Sequence, residues 1–219
     1  QKTAYEIRPR DWSSDVCSSD LISYEIPLGM ALISVVLLAG SMQLSEIVRW
    51  QAQHYAWMAF LIPFSLFTFF FSSTAELNRT PNDIAEAESE IVAGFHTEYS
   101  GMKFGLFYAV ELGNAVAVAA FVTAFFLGGW SLFGLEAFIP GYVIYATKVA
   151  AGYFVLVWLR GTLPRFRLDQ LMAFAWKYLI PITIAHTTLV AAEVTAMHAL
   201  AWPGAVELGL TALVNIAFT

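Results

Sequence analysis

The chain has 219 residues, 58% of them hydrophobic and 13% charged, with a formal net charge of -6. So apolar a balance excludes an ordinary soluble core and points to an all-α, polytopic transmembrane helix bundle. No basic tract is present that would suit a nucleic acid.

Residues 1–21, QKTAYEIRPRDWSSDVCSSDL, break sharply in composition from the rest of the chain. QKTAYEI and DWSSDVCSSDL read as a translated sequencing adapter, so residues 1–21 are set apart as non-native and 22–219 form a partial transmembrane domain. That exclusion removes Cys17, the single cysteine, and with it any thiolate metal or iron–sulfur ligand. It leaves 8 basic and 13 acidic side chains. Ile22 then opens in the middle of a membrane pattern, which marks the chain as a fragment.

A spanning helix needs about 20 mostly apolar residues. Five windows supply them: Ile22 to Leu44, Tyr55 to Ala75, Phe104 to Leu127, Phe138 to Leu159 and Tyr178 to Leu200. A sixth run, Gly204 to Phe218, is shorter and reads as a truncated span. Pro27 and Pro63 are positioned to kink their helices. Loops 76–103 and 160–177 carry Arg79, Lys103, Arg160, Arg165, Arg167 and Lys177, whereas the opposite loops hold only Arg49. The first set is therefore expected on the cytoplasmic side.

The first of these loops is acidic. Thr80 fits an N-cap, Pro81 the first helical position and Asp83 a capping box, so a short helix is expected to about Ala93, with Gly94 ending it. Asp83, Glu86 and Glu90 would share one face. Acidic residues at a helix start on a solvated side are explained by the helix dipole alone, but Glu76, Glu88 and Glu98 add to the cluster.

Within the spans, Glu111, Lys148 and Glu193 each carry an insertion penalty of about 2.5 to 3.5 kcal/mol if charged. Two readings stand side by side. Glu111 and Lys148 could pair and lock two helices, or the buried carboxylates could form a proton path. Glu25 lies near a span's mouth, where snorkelling competes with function. Arg160, Arg165, Arg167 and Asp169 either orient the chain on anionic headgroups or dock a soluble partner and wall a polar cavity. His186 and His198, about 18 Å apart on one helix, cannot share an iron. His54 and His96 read as polar boundary residues. There is no G-x-G-x-x-G or Walker motif.

The stretch AELNRTPNDIAEAESEIVAGFHTEYSGMKFGLF, followed by WLRGTLPRFRLDQLM and preceded by ISYE-P-LG at Ile22, resembles the quinone-site membrane subunits of respiratory complex I. This is the family of the H subunit in bacterial NADH-quinone oxidoreductase and subunit 1 in mitochondria, and the resemblance runs from Ile22 to about Trp202. It implies eight or so spans in the whole subunit, the first three missing here. It also implies a non-redox-centre subunit of a proton-translocating NADH:quinone oxidoreductase, inactive alone, in the cell inner membrane. No cofactor is then expected on this chain; quinone is the substrate, and FMN and iron–sulfur clusters belong to partner subunits. The implied partners are the peripheral quinone-module subunits and the small and antiporter-like membrane subunits.

By the same resemblance, Glu25, Glu76, Asp83, Glu86, Glu88, Glu90 and Glu111 match the family's acidic positions and would couple protons, with Lys148 holding one carboxylate ionised. Arg79, Arg160, Arg165, Arg167 and Asp169 would line the quinone chamber or a subunit interface. The chain departs from the family pattern at Asn82, where many members read phenylalanine, at Ala87 in place of glycine, and at Leu112 in place of an aromatic. Other readings of the same buried Glu and Lys are a proton or cation transporter, or the equivalent subunit of a membrane-bound hydrogenase lacking quinone.

Overall fold

The computed structural model describes the backbone of residues 9–77, 100–132, 134, 138–164, 168–200 and 204–219. Among these residues every regular element is a helix, as the apolar windows predict. They are α1 (Pro9–Ala39), α2 (Leu44–His54), α3 (Met58–Leu61), α4 (Pro63–Glu76), α5 (Met102–Phe126), α6 (Gly141–Thr162), α7 (Leu168–Phe174), a π-helical turn (Ala175–Leu179), α8 (Ile180–Leu200) and α9 (Gly204–Phe218). Among the described residues four stretches are long and apolar enough to cross a membrane: Ile22–Ala39, Met102–Phe126, Gly141–Thr162 and Gln170–Met197. α1 continues through the boundary drawn at residue 21, and Pro27 lies inside it without ending it.

The window from Tyr55 to Ala75 is not one helix. Proline restricts the residue before it away from the helical region, and Ile62 accordingly sits at φ -131, ψ 66 between α3 and α4. Pro63 then starts α4 at the first helical position, where its missing N–H costs nothing. A second proline has a different outcome. Pro181 cannot donate to the preceding turn, and the ladder just before it widens to the π pattern, with Ile180 N–H donating to Ala175 O. The helix from Leu168 to Leu200 thereby continues past the proline.

The bundle core forms where α1 packs against α4 and α8, with Val35, Met58, Ile62, Phe69, Phe126 and Val190 in one buried cluster. α5 and α6 pair through small residues: a methyl at Gly152 would lie 3.4 Å from Ala119 Cβ, the close approach that membrane helices use in place of bulky apolar contacts. Buried hydroxyls turn back onto their own helices, as Thr68 does to Phe64 O, Ser73 to Phe69 O and Thr123 to Ala119 O. Each removes a polar group that lipid could not satisfy.

At one end of the bundle α2 caps the ends of α3 and α5. Its buried Gln51 donates from Nε2 to Phe125 O at 2.9 Å and accepts from Met58 N–H at 3.3 Å. The chain leaves α5 through Gly128 and Gly129, at φ +72 and +52. A Cβ at Gly129 would lie 2.8 Å from Val48 Cγ2, so both the backbone and the space call for glycine. Gly129→Ala is expected to destabilise the full-length subunit by about 1–3 kcal/mol. Gly113→Ala, inside α5 with nothing within 4 Å, should cause no loss. Thermal unfolding midpoints in detergent check the pair.

Candidate functional site

The other end of the bundle brings together the middle of α1, the end of α4 and the start of α7. Tyr24, Ala75, Leu171 and Ala175 form a buried cluster there, with Phe71 packed on it. Ser23 Oγ donates to Met172 Sδ at 3.8 Å. The cluster fixes Glu25 and Glu76, both exposed and each next to one of its members, at the same mouth.

Beneath Glu76 lies a cavity of about 390 Å³ between α1, α4 and α5. Its polar wall is Ser73, Glu76 and Asn114, and its apolar wall includes Leu32, Phe69 and Phe121. Glu111 is half-buried one turn before Asn114 on α5, a rise of about 4.5 Å. Glu76 lines the cavity, and Glu111 lies one turn from its lining residue Asn114. Arg160, half-buried in the last turn of α6, comes to the same level. Counting eight residues back from Ala119 and eight on from its partner Gly152 sets positions 111 and 160 opposite one another, about 12 Å along each antiparallel helix.

Lys148 is elsewhere. Its ammonium donates to Leu127 O at 2.6 Å, Gly129 O at 3.1 Å and Ser131 O at 2.6 Å, and lies 4.9 Å from the Trp57 ring centroid. A cation on carbonyls left open at a helix C-terminus is favoured by both hydrogen bonding and the helix dipole. Leu127 is 16 residues beyond Glu111, about 24 Å along the helix. The Glu111–Lys148 pair that would have locked two helices is therefore not made.

Arg79, Asp83, Glu86, Glu88, Glu90, Arg165 and Arg167, with the helix expected from Thr80 to Ala93, lie outside the described residues, as does the side chain of Asp169 on α7. Ser73 and Asn114 were not singled out in the sequence. Their signal was present, as polar residues within apolar helices, but the serines and threonines scattered through every apolar window carry it as well.

The region 18–191 matches the family model for NADH dehydrogenase. The chain belongs to that family. The matched region runs from within α1 into α8 and holds both walls of the cavity, with Glu25, Glu76, Glu111 and Arg160. The chain is 50% identical over 174 residues to the H subunit of NADH-quinone oxidoreductase from Geobacillus kaustophilus (strain HTA426), covering 80% of this chain and 52% of the relative. It is 45% identical over 175 residues to the protein of the same name in Dehalococcoides mccartyi, covering 80% and 48%. In Geobacillus thermodenitrificans (strain NG80-2) the identity to the protein so named is 48% over 174 residues, covering 80% and 52%. The chain thus spans about half the length of the curated relatives it matches. Its apolar helices and these relatives make it a membrane protein.

In this NADH dehydrogenase family chain, the remoteness of Lys148 from Glu111 has a measurable outcome. Lys148→Met strips three carbonyls of their donor and is expected to lower stability by about 1–3 kcal/mol. Combined with Glu111→Gln, the effects should add to within about 0.5 kcal/mol, because the two sites lie about 24 Å apart along α5. A double-mutant cycle of unfolding midpoints measures this.

Proposed function

We propose that the chain is part of the quinone-site membrane subunit of a proton-translocating NADH-quinone oxidoreductase of the complex I type. The observation that carries this reading is the 50% identity over 174 residues to a relative named as the H subunit of NADH-quinone oxidoreductase. Glu76 on the wall of a part-polar cavity, with Glu111 one turn from its lining residue Asn114, supports it.

The chemistry asks for an apolar berth beside ionisable groups. A second cavity, of about 410 Å³, is lined by Phe71, Gln170, Leu171 and Phe174. The Phe71 and Phe174 rings meet edge to face at 5.5 Å, and Phe67 and Tyr178 extend the row along the surface of the bundle. Such a row suits a flat ring with an isoprenoid tail. Reducing a quinone to quinol consumes two electrons and two protons. The electrons come from flavin and iron–sulfur groups on partner subunits. The protons pass through carboxylates of the mouth: Glu25, Glu76, Asp83, Glu86, Glu88, Glu90 and Glu111. Where such carboxylates are coupled, drawing protons from one alters the occupancy of the others and carries the redox event toward the membrane arm. Arg160 at the level of Glu111, with Arg79, Arg165, Arg167 and Asp169, steadies the acidic chain or holds the peripheral subunits. Lys148 fixes the end of α5 and acts on the path through that fold. The subunit sits in the cell inner membrane, with loops 76–103 and 160–177 on the cytoplasmic side and the peripheral and antiporter-like subunits as neighbours.

Glu88→Gln and Glu111→Gln, each made in the full-length subunit within the assembled complex, should lower quinone reductase activity and proton pumping together by about tenfold or more. Assembly on native gels should be unchanged. Retention of both activities overturns the assignment.

A further inference from the structure

The opposite half of the bundle holds a second group of buried ionisable side chains that the proposed quinone path does not use. His186 on α8 is 1% exposed and Asn215 on α9 is 0% exposed. The imidazole is packed between Phe64 and Phe218, with ring centroids at 5.0 and 5.4 Å. Its Nδ1 is 3.4 Å from Ser65 Oγ on α4, and the Asn215 side chain lies against it. Asn215 Nδ2 donates to Glu193 Oε2 at 3.0 Å and to Thr211 O at 2.8 Å. Both amide hydrogens are therefore committed.

Three atoms gathered around Asn215 remain without a hydrogen-bond partner among the described residues: His186 Nε2, Asn215 Oδ1 and Glu193 Oε1. Oδ1 is an acceptor always, and Oε1 is one whenever Glu193 is ionised. The roles of the imidazole nitrogens follow the tautomer: with its hydrogen on Nδ1 the ring donates to Ser65 and Nε2 is an acceptor, and with its hydrogen on Nε2 it accepts from Ser65 and Nε2 is a donor. In either form Glu193 Oε1 lacks a donor whenever the carboxylate is ionised. Buried acceptors left in that condition cost about 1–3 kcal/mol each, and a proton on Glu193, with water supplying the remaining O–H groups, removes the deficit.

Water has a route to it. A cavity of about 220 Å³ at the end of α1 is lined by Gly40, Trp50, His54, Val194, Met197 and Thr211, among others. Val194 adjoins Glu193 in the chain, and Thr211 is the residue whose carbonyl Asn215 holds. The cavity floor is thus one helical turn, about 6 Å, from the cluster. Among the described side chains, which exclude those of His198 and Glu207, few groups face the cluster. α1 contributes Ser34, bonded to Thr187 at 3.2 Å; α4 contributes Phe64 and Ser65, and α9 contributes Thr211, Asn215 and Phe218. None of these is titratable. Glu25 and Glu76 lie about 14 and 16 Å away along α1 and α4.

We propose that Glu193, His186 and Asn215 form a proton-binding site inside the membrane, loaded from water in the cavity beside His54 and Thr211. One proton is taken from that water onto the Glu193 carboxylate or the His186 ring, leaving hydroxide to the bulk solvent, and it returns by the same route. The site belongs to this chain's own helices and does not depend on quinone.

The test is an infrared pH titration of the assembled complex containing the full-length subunit, read as wild-type minus variant. Glu193→Gln preserves an acceptor for Asn215, and it should remove a protonated-carboxyl band that wild type shows near neutral pH. An unchanged spectrum overturns the proposal. His186→Gln should move the midpoint of that band by about one pH unit or more; an unmoved midpoint shows an isolated carboxyl and also overturns it. Met197→Trp, which fills the cavity, should slow deuterium exchange of the band severalfold, and an unaltered rate removes the loading route and the proposal with it.

Discussion

The structure depends on one constraint: inside an apolar bundle, every polar group must be satisfied by the chain itself. The helices meet it for their own backbone, and the exceptions locate the informative places. Where Pro63 removes a donor, the ladder breaks and restarts. Where Pro181 removes one, the turn before it widens to the π pattern and the helix goes on. Where α5 ends within the bundle, Lys148 is brought across from α6 to three open carbonyls. Buried serines and threonines return their hydrogens to the preceding turn of their own helices.

Against that background, polar groups that are not fully satisfied separate the two ends of the molecule. At the mouth, Glu25 and Glu76 remain exposed, and Ser73 and Asn114 face a cavity large enough for water. Charge there is held by hydration and by neighbouring chains in the proposed assembly. At the far end, His186, Glu193 and Asn215 are enclosed by aromatic and aliphatic side chains, and their acceptors outnumber their donors. Carboxylate chemistry is thus placed in an open mouth at one end and, at the other, in a largely enclosed site beside a cavity of about 220 Å³.

The resemblance read from the acidic loop and the R-TLPR-R-DQ segment agrees with the family that the whole region 18–191 matches. Neither motif fixed the geometry around it. Glu111 and Lys148 were equivalent in the sequence, each one ionisable residue in an apolar helix. They part in the structure because α5 and α6 run antiparallel, which sets position 111 beside 160 and carries 148 to the other end. Asn215 drew no notice in the sequence because a lone amide in an apolar run carries no periodic signal.

By itself the sequence determined the class of solvent and the class of element. Runs of about 20 apolar residues leave the backbone no choice but helices, and the basic loops carry the bias that orients them. Local chemistry also marked Pro63 as a kink and Gly204 to Phe218 as a short apolar run, since both follow from neighbours in the chain. Tertiary structure alone decided which buried charges share a site. A helix fixes the spacing of its own side chains, but register and pairing between helices arise from packing of small residues such as Gly152 on Ala119. No residue's immediate neighbours encode that contact.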